Sequence, residues 1–261
     1  MHNSHRLLWY HLIILSMVLG GKSGCRAAIP TPASTSVHWG YTGEVAPQYW
    51  GDLSPDYSAC SHGKEQSPVD IPASAPVNPA TLQIEYLPSA LYILNNGHSI
   101  QVNYDSGSTL EIDGIRYPLV QFHLHSLSEH TLAGGHTPME LHLVHKDAAG
   151  HTAVLGVMIV EGAPNPAYEE ILSHLPAEEG QHQAFPEVVV NAGALLPVER
   201  SYYRYAGSLT TPPCTEDVSW IVMAAPVELS AEQIAAFQEL YTDNYRPVQP
   251  LNARQFLANT P

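Results

Sequence analysis

The 261-residue chain is 44% hydrophobic and only 13% charged, which excludes a disordered, highly charged tail and leaves room for one large domain or two small ones. Its 10 Lys and Arg face 25 Asp and Glu, a formal net charge of −15. That balance argues against nucleic acid as a partner, because neutralising phosphates requires a basic surface.

Residues Met1 to Ala28 begin with His2, His5 and Arg6, continue through an apolar run from Leu7 to Leu19 and end in small residues. This is the layout of a signal peptide, too short and too poorly flanked for a membrane span. Removing it takes Arg6, Lys22 and Arg26 and leaves 7 basic against 25 acidic residues, or −18. A second reading makes Cys25 the lipidated first residue of a lipoprotein, although Lys22 stands where such a signal carries an aliphatic side chain. Membrane association follows only under that second reading; under the first the protein is exported, periplasmic or secreted. Residues 29–36 form a Pro/Thr/Ser-rich linker, and with no repeat or compositional shift beyond it, residues 37–261 read as one domain. Two cysteines, Cys60 and Cys214, remain in the exported part. An even pair in an oxidising compartment suggests a disulfide, with two buried free thiols as the other reading.

Period-2 alternation predicts strands at Leu82–Tyr86, Ser99–Tyr104, Thr109–Ile112, Tyr117–His125, Met139–His145 and Thr152–Val160. Helical spacing is confined to Tyr168, Ile171, Leu172 and Leu175, and to Ile234, Phe237, Leu240 and Tyr241 behind a Ser230/Gln233 capping box. The fold class is therefore mainly β (α+β), with helices at the periphery.

In Gln121-Phe122-His123-Leu124-His125 an extended backbone puts His123 and His125 on one face and Phe122 and Leu124 on the other. The same arithmetic in Glu140-Leu141-His142-Leu143-Val144-His145 pairs Glu140 with His142 and turns His145 away. If the strands are neighbours, three imidazoles meet. Three nitrogens without a thiolate suit Zn2+, one per chain, and a fourth position left to water is the arrangement of catalytic rather than structural zinc. Gln121 and Glu140 each stand two residues from a ligand on the same face, placed to accept its other ring N–H. Of the 15 histidines, His130, His145, His38, His62, His136, His151, His174 and His182 read as structural or solvated.

These residues, together with His38-Trp39-Gly40-Tyr41, Gln66 to Ile71, Leu94 to His98, Ser128-Glu129-His130, Gly207 to Pro213 and Asn244 to Pro247, closely resemble the exported, bacterial-type alpha carbonic anhydrases over His38 to Arg254. The resemblance implies a large central twisted, mostly antiparallel sheet of about ten strands with short peripheral helices. It implies reversible hydration of carbon dioxide to bicarbonate and a proton by attack of zinc-bound hydroxide, small-molecule substrates, and no nucleic acid; a homodimer remains open. Residue by residue, it assigns zinc to His123, His125 and His142. Their outer hydrogen-bond partners are Gln121, Glu140 and the Asn244 carbonyl. Thr210 and Glu129 match a relay that orients the hydroxide, and His98 matches a proton shuttle, though by itself His98 reads as an exposed loop histidine beside an Asn-Gly turn. Val144, Val154, Leu209 and Trp220 match an apolar substrate wall, with Thr211 on its polar side, and Cys60–Cys214 matches a disulfide of exported members. Two alternatives stand beside this: a catalytically silent binding module on the same fold, against which the intact ligand set argues, and a zinc-dependent esterase.

Overall fold

Thirteen strands and four short α-helices make up the computed structural model, which describes residues 37–79 and 81–258. The expected leader, the linker and Cys25 lie outside the described residues. The strands are β1 (Asp70–Ile71), β2 (Gln83–Glu85), β3 (Ser89–Asn95), β4 (Ile100–Asn103), β5 (Thr109–Ile112), β6 (Ile115–His125) and β7 (Thr131–Leu132), followed by β8 (Met139–Lys146), β9 (Thr152–Glu161), β10 (His182–Val190), β11 (Tyr202–Gly207), β12 (Val218–Met223) and β13 (Val227–Leu229). The helices are α1 (Trp50–Leu53), α2 (Ala59–His62), α3 (Pro166–Leu172) and α4 (Ala231–Gln238). Among the described residues no helix is long and apolar enough to cross a membrane.

Eleven strands form one sheet, whose main path runs β10-β3-β4-β6-β8-β9-β12-β11, with β5 also on β6, β2 on β5 and β13 on β9. It is antiparallel except where β9 meets β12 and β13, so the sheet is mostly antiparallel, as expected, with a mixed edge. β1 and β7 pair separately, in parallel.

The alternation in β6 and β8 divides their side chains between two cores. Phe122, Leu124, Leu141 and Leu143 enter a large cluster on one face, together with Leu155 and Ile221. Val154, Met158, Tyr205, Trp220 and Val222 form a second cluster on the other, with Val144 and Leu209 against it. Burying both faces takes water away from the polar residues between them, so those residues must find partners inside the protein.

The strand pattern missed the two-residue β1 and β7, and β3, β10, β11, β12 and β13. In β12 both faces are covered, so Val-Ser-Trp-Ile-Val-Met shows a nearly continuous apolar run instead of alternation. In β10, Pro186 sits within a register shift between Phe185 and Val189, which interrupts the period. Both helical stretches form, but α3 ends before Leu175 and α4 before Leu240 and Tyr241. The Ser230/Gln233 capping box closes as expected, and Asn165 caps α3 ahead of Pro166.

Candidate metal centre

His123 and His142 are directly opposed across the antiparallel β6–β8 ladder, and His125 faces Glu140. One nitrogen from each of His123, His125 and His142 lies within 4.8 Å of the others. The remaining ring nitrogens are each held by an oxygen. His123 Nδ1 donates to Gln121 Oε1 at 2.9 Å, His125 Nδ1 to the Asn244 carbonyl at 2.7 Å, and His142 Nε2 to Glu140 Oε1 at 2.8 Å. Each bond sets a tautomer, leaving Nε2 of His123, Nε2 of His125 and Nδ1 of His142 as free lone pairs. His125 Nε2 is buried with no hydrogen-bond partner. A buried nitrogen in that state calls for a ligand, and three converging imidazoles fit a divalent transition metal with room for a further small ligand.

Electrostatics favour the metal-binding form at two of the three. Burial, then the neighbouring imidazoles, holds His123 well below the usual histidine pKa, and burial lowers His125 as well. Burial also acts to lower His142, but the Glu140 carboxylate outweighs it and the net shift is upward. Glu140 is itself raised by burial, yet His130 and His142 together hold it well below the carboxylate range. Gly156, opposite His142 on β9, makes room for this arrangement: a Cβ there would stand 2.9 Å from Glu140 Oε1.

Glu140 is anchored by a residue that sequence reasoning set aside as merely structural. Its Oε2 accepts from the backbone N–H groups of Glu129 (2.8 Å) and His130 (2.9 Å), and its Oε1 takes His130 Nδ1–H at 2.8 Å. His130 Nε2 then meets the Tyr205 hydroxyl at 2.6 Å, and that hydroxyl meets Ser67 Oγ at 2.9 Å. The one available signal was the Ser128-Glu129-His130 match to the family. Ser67 lies in the matched stretch Gln66 to Ile71 but had no role assigned to it, and Tyr205 carried no signal; both join the network from distant parts of the chain.

A cavity of about 310 Å3 opens over His123 and His142. Val144, Val154, Leu209, Thr210, Thr211 and Trp220, all singled out from sequence, line it. So do Val120, Lys146 and Thr152, which were not. The Thr210 loop is closed by Leu209 N–H to the Thr215 carbonyl and Cys214 N–H to the Thr211 carbonyl, both 2.9 Å. The Cys60–Cys214 disulfide, with Cα atoms 5.0 Å apart, ties its end to α2.

Glu129 is fully buried, with Oε1 accepting from Arg246 N–H at 2.8 Å. Its Oε2 has no hydrogen-bond partner and stands 3.6 Å from His125 Nε2 and 3.8 Å from His142 Nδ1. The Thr210–Glu129 hydrogen bond that a relay requires is thus not made in this structure. His98 stacks on Trp39, with ring centroids 3.6 Å apart and planes 11° from parallel. Burial lowers its pKa, with Glu179 acting in the opposite direction. Gly97, at φ 83°, makes the turn that presents it; a Cβ there would lie 2.5 Å from Glu179 Oε1. Asn244 links the two regions, since its Nδ2 donates to the His98 carbonyl at 3.0 Å while its own carbonyl holds His125.

A mixed sheet with three converging imidazoles at the base of a partly apolar cavity defines a class: proteins with a site that could hold a metal ion open to a small ligand. Residues 45–260 match the model of the eukaryotic-type carbonic anhydrase family. A carbonic anhydrase from a Nostoc species is 40% identical, over 93% of this chain and 94% of that protein. One from Pectobacterium atrosepticum is 44% identical, over 87% and 93%. The alpha carbonic anhydrase of Thermovibrio ammonificans, solved with the inhibitor sulfanilamide, superposes with a TM-score of 0.82 at 46% identity, covering 85% of this chain and 99% of that one. The chain belongs to the alpha carbonic anhydrase family, an enzyme family.

Proposed function

We propose that this protein hydrates carbon dioxide reversibly to bicarbonate and a proton, with one Zn2+ held by His123, His125 and His142. The observation that carries the reading is the set of three imidazoles, each fixed by its own oxygen acceptor with the other nitrogen free and converging. Zinc held there supplies a Lewis acid that lowers the pKa of water to about 7, a value for which carbonic anhydrase is the standard example.

The chain's own residues do the rest. Val144, Val154, Leu209 and Trp220 form an apolar wall that accepts an uncharged, linear molecule and keeps bulk water from it. Glu129 Oε2, unpartnered and buried, turns from the imidazoles to accept the Thr210 hydroxyl proton. Thr210 Oγ1 is then left as an acceptor only, which directs the nucleophile's lone pair at the substrate carbon. Gln121, Glu140 and the Asn244 carbonyl keep the ligand rings oriented. His98, held on Trp39, takes the proton released in each cycle through intervening water and passes it to buffer. The family relationship and the disulfide fit an exported enzyme; the signal-peptide reading of residues 1–28 belongs to this proposal.

Stopped-flow measurement of carbon dioxide hydration on purified protein, paired with metal analysis, tests it. The expected result is hydration well above buffer with one zinc per chain, and loss of both in His142→Ala. A fully zinc-loaded wild type with no hydration above buffer overturns the reading.

A further inference from the structure

β8 carries a strip of side chains from the imidazole cluster to the cavity mouth: His142, Val144 and Lys146, at i, i+2 and i+4, share one face. At ~3.3 Å per residue, Lys146 starts roughly 13 Å from His142, and its flexible stem can carry the ammonium part of the way back. A β-bulge at Val120 in the facing strand, between the Leu119–His145 and Gln121–Val144 pairs, puts an apolar side chain beside it. Across the other ladder Lys146 pairs with Thr152, which also lines the cavity.

Lys146 is the one Lys or Arg side chain lining this cavity, and of the other described cations most are engaged, Lys64 excepted, which lies away from it. Arg116 pairs with Glu85 and Glu111, and Arg204 with Asp113. Arg246 and Arg254 spend their donors on carbonyls and on Gln66. The Lys146 ammonium makes no ion pair and no side-chain hydrogen bond among the described residues. A chain with 25 acids and 10 bases repels anions from most of its surface. At the edge of the cavity over the imidazoles it instead presents a cation without an ion-pair partner.

We infer that Lys146 forms, with the Thr152 hydroxyl, an outer anion subsite that binds bicarbonate at the cavity mouth. This rests on the proposed reaction for the identity of the anion. Carbon dioxide carries no charge and is not attracted by an ammonium, whereas bicarbonate is, so the residue discriminates between the two sides of the equilibrium. It draws the anion in for dehydration and holds it on the way out after hydration.

Calorimetric titration of the full, zinc-loaded protein with bicarbonate at mildly alkaline pH and low ionic strength reads the subsite directly. Lys146→Gln is expected to weaken binding roughly three- to tenfold, the effect of one unit charge at close range in a partly solvated cleft. Lys146→Arg, which keeps the charge, should restore it, and added salt should erase the difference between the variants. Equal affinities for wild type and Lys146→Gln at low salt overturn the inference, as does a weakening that Lys146→Arg shares. A hydration assay on the same wild-type preparation separates the two readings. Lys146-dependent binding without hydration would reject the proposed reaction and keep the subsite; hydration with Lys146-independent binding would do the reverse.

Discussion

His130 donates its Nδ1–H to Glu140 Oε1 at 2.8 Å, on the same oxygen that takes the Nε2–H of His142. A fully buried carboxylate shared between two imidazoles couples the orientation of the His142 ring to a chain that continues through Tyr205 to Ser67.

Cutting that chain is expected to loosen the metal. Tyr205→Phe removes the outer bond and His130→Leu the inner one, so zinc affinity should fall in that order, by roughly ten- to a hundredfold for His130→Leu. Competition with a chromophoric chelator measures it. Unchanged affinity in both variants, with the fold intact by near-ultraviolet circular dichroism, would show that Glu140 holds His142 unaided.

Replacing His98 should slow turnover without touching metal content. In dilute buffer His98→Ala is expected to lose roughly ten- to a hundredfold in kcat, and added imidazole should return much of it. Because burial lowers the His98 pKa below 6.5, the neutral, proton-accepting form persists to lower pH. The shuttle-dependent part of kcat in wild type should therefore rise with a midpoint below pH 6.5. A midpoint above that value would contradict the half-buried, Trp39-stacked placement.

Acid should act through His145, which is buried on the face opposite the cluster with Tyr86 donating its hydroxyl to Nε2 at 2.7 Å. Burial lowers its pKa to about 4 from 6.5, so the unfolded chain takes up this proton first. Its contribution to stability is complete above pH 6.5 and is lost as pH falls towards about 4, a change on the order of 3 kcal/mol. Urea unfolding across that window should show a shallower acid loss in His145→Gln, which keeps an acceptor for Tyr86.

Reduction of Cys60–Cys214 releases a loop with a sequence separation of 154 residues, worth at most about 5 kcal/mol on the chain-entropy model. The paired Cys60→Ala, Cys214→Ala protein should unfold at lower urea and lose hydration activity more than zinc. The disulfide braces the Thr210 loop, whereas the imidazoles sit on sheet strands. Equal loss of metal and activity would place the effect in global unfolding instead.

Features set by local geometry were legible in the order of residues alone. A period of two put His123 with His125, and Glu140 with His142, and turned His145 away; strand pairing preserved all three results because β6 and β8 are regular where these residues stand. The Ser230/Gln233 cap was legible for the same reason, since both partners lie within one helical turn. Several decisions belonged to tertiary structure alone, because they join residues far apart in the chain. Which face of β9 and β12 meets the cavity depends on a parallel ladder that no local pattern announces. The seating of His98 on Trp39 closes a separation of 59 residues, and the Asn244 carbonyl reaches His125 across 119. His130 looked like any other histidine until folding buried it against a carboxylate, where an unpaired imidazole would be costly and a paired one becomes part of the site.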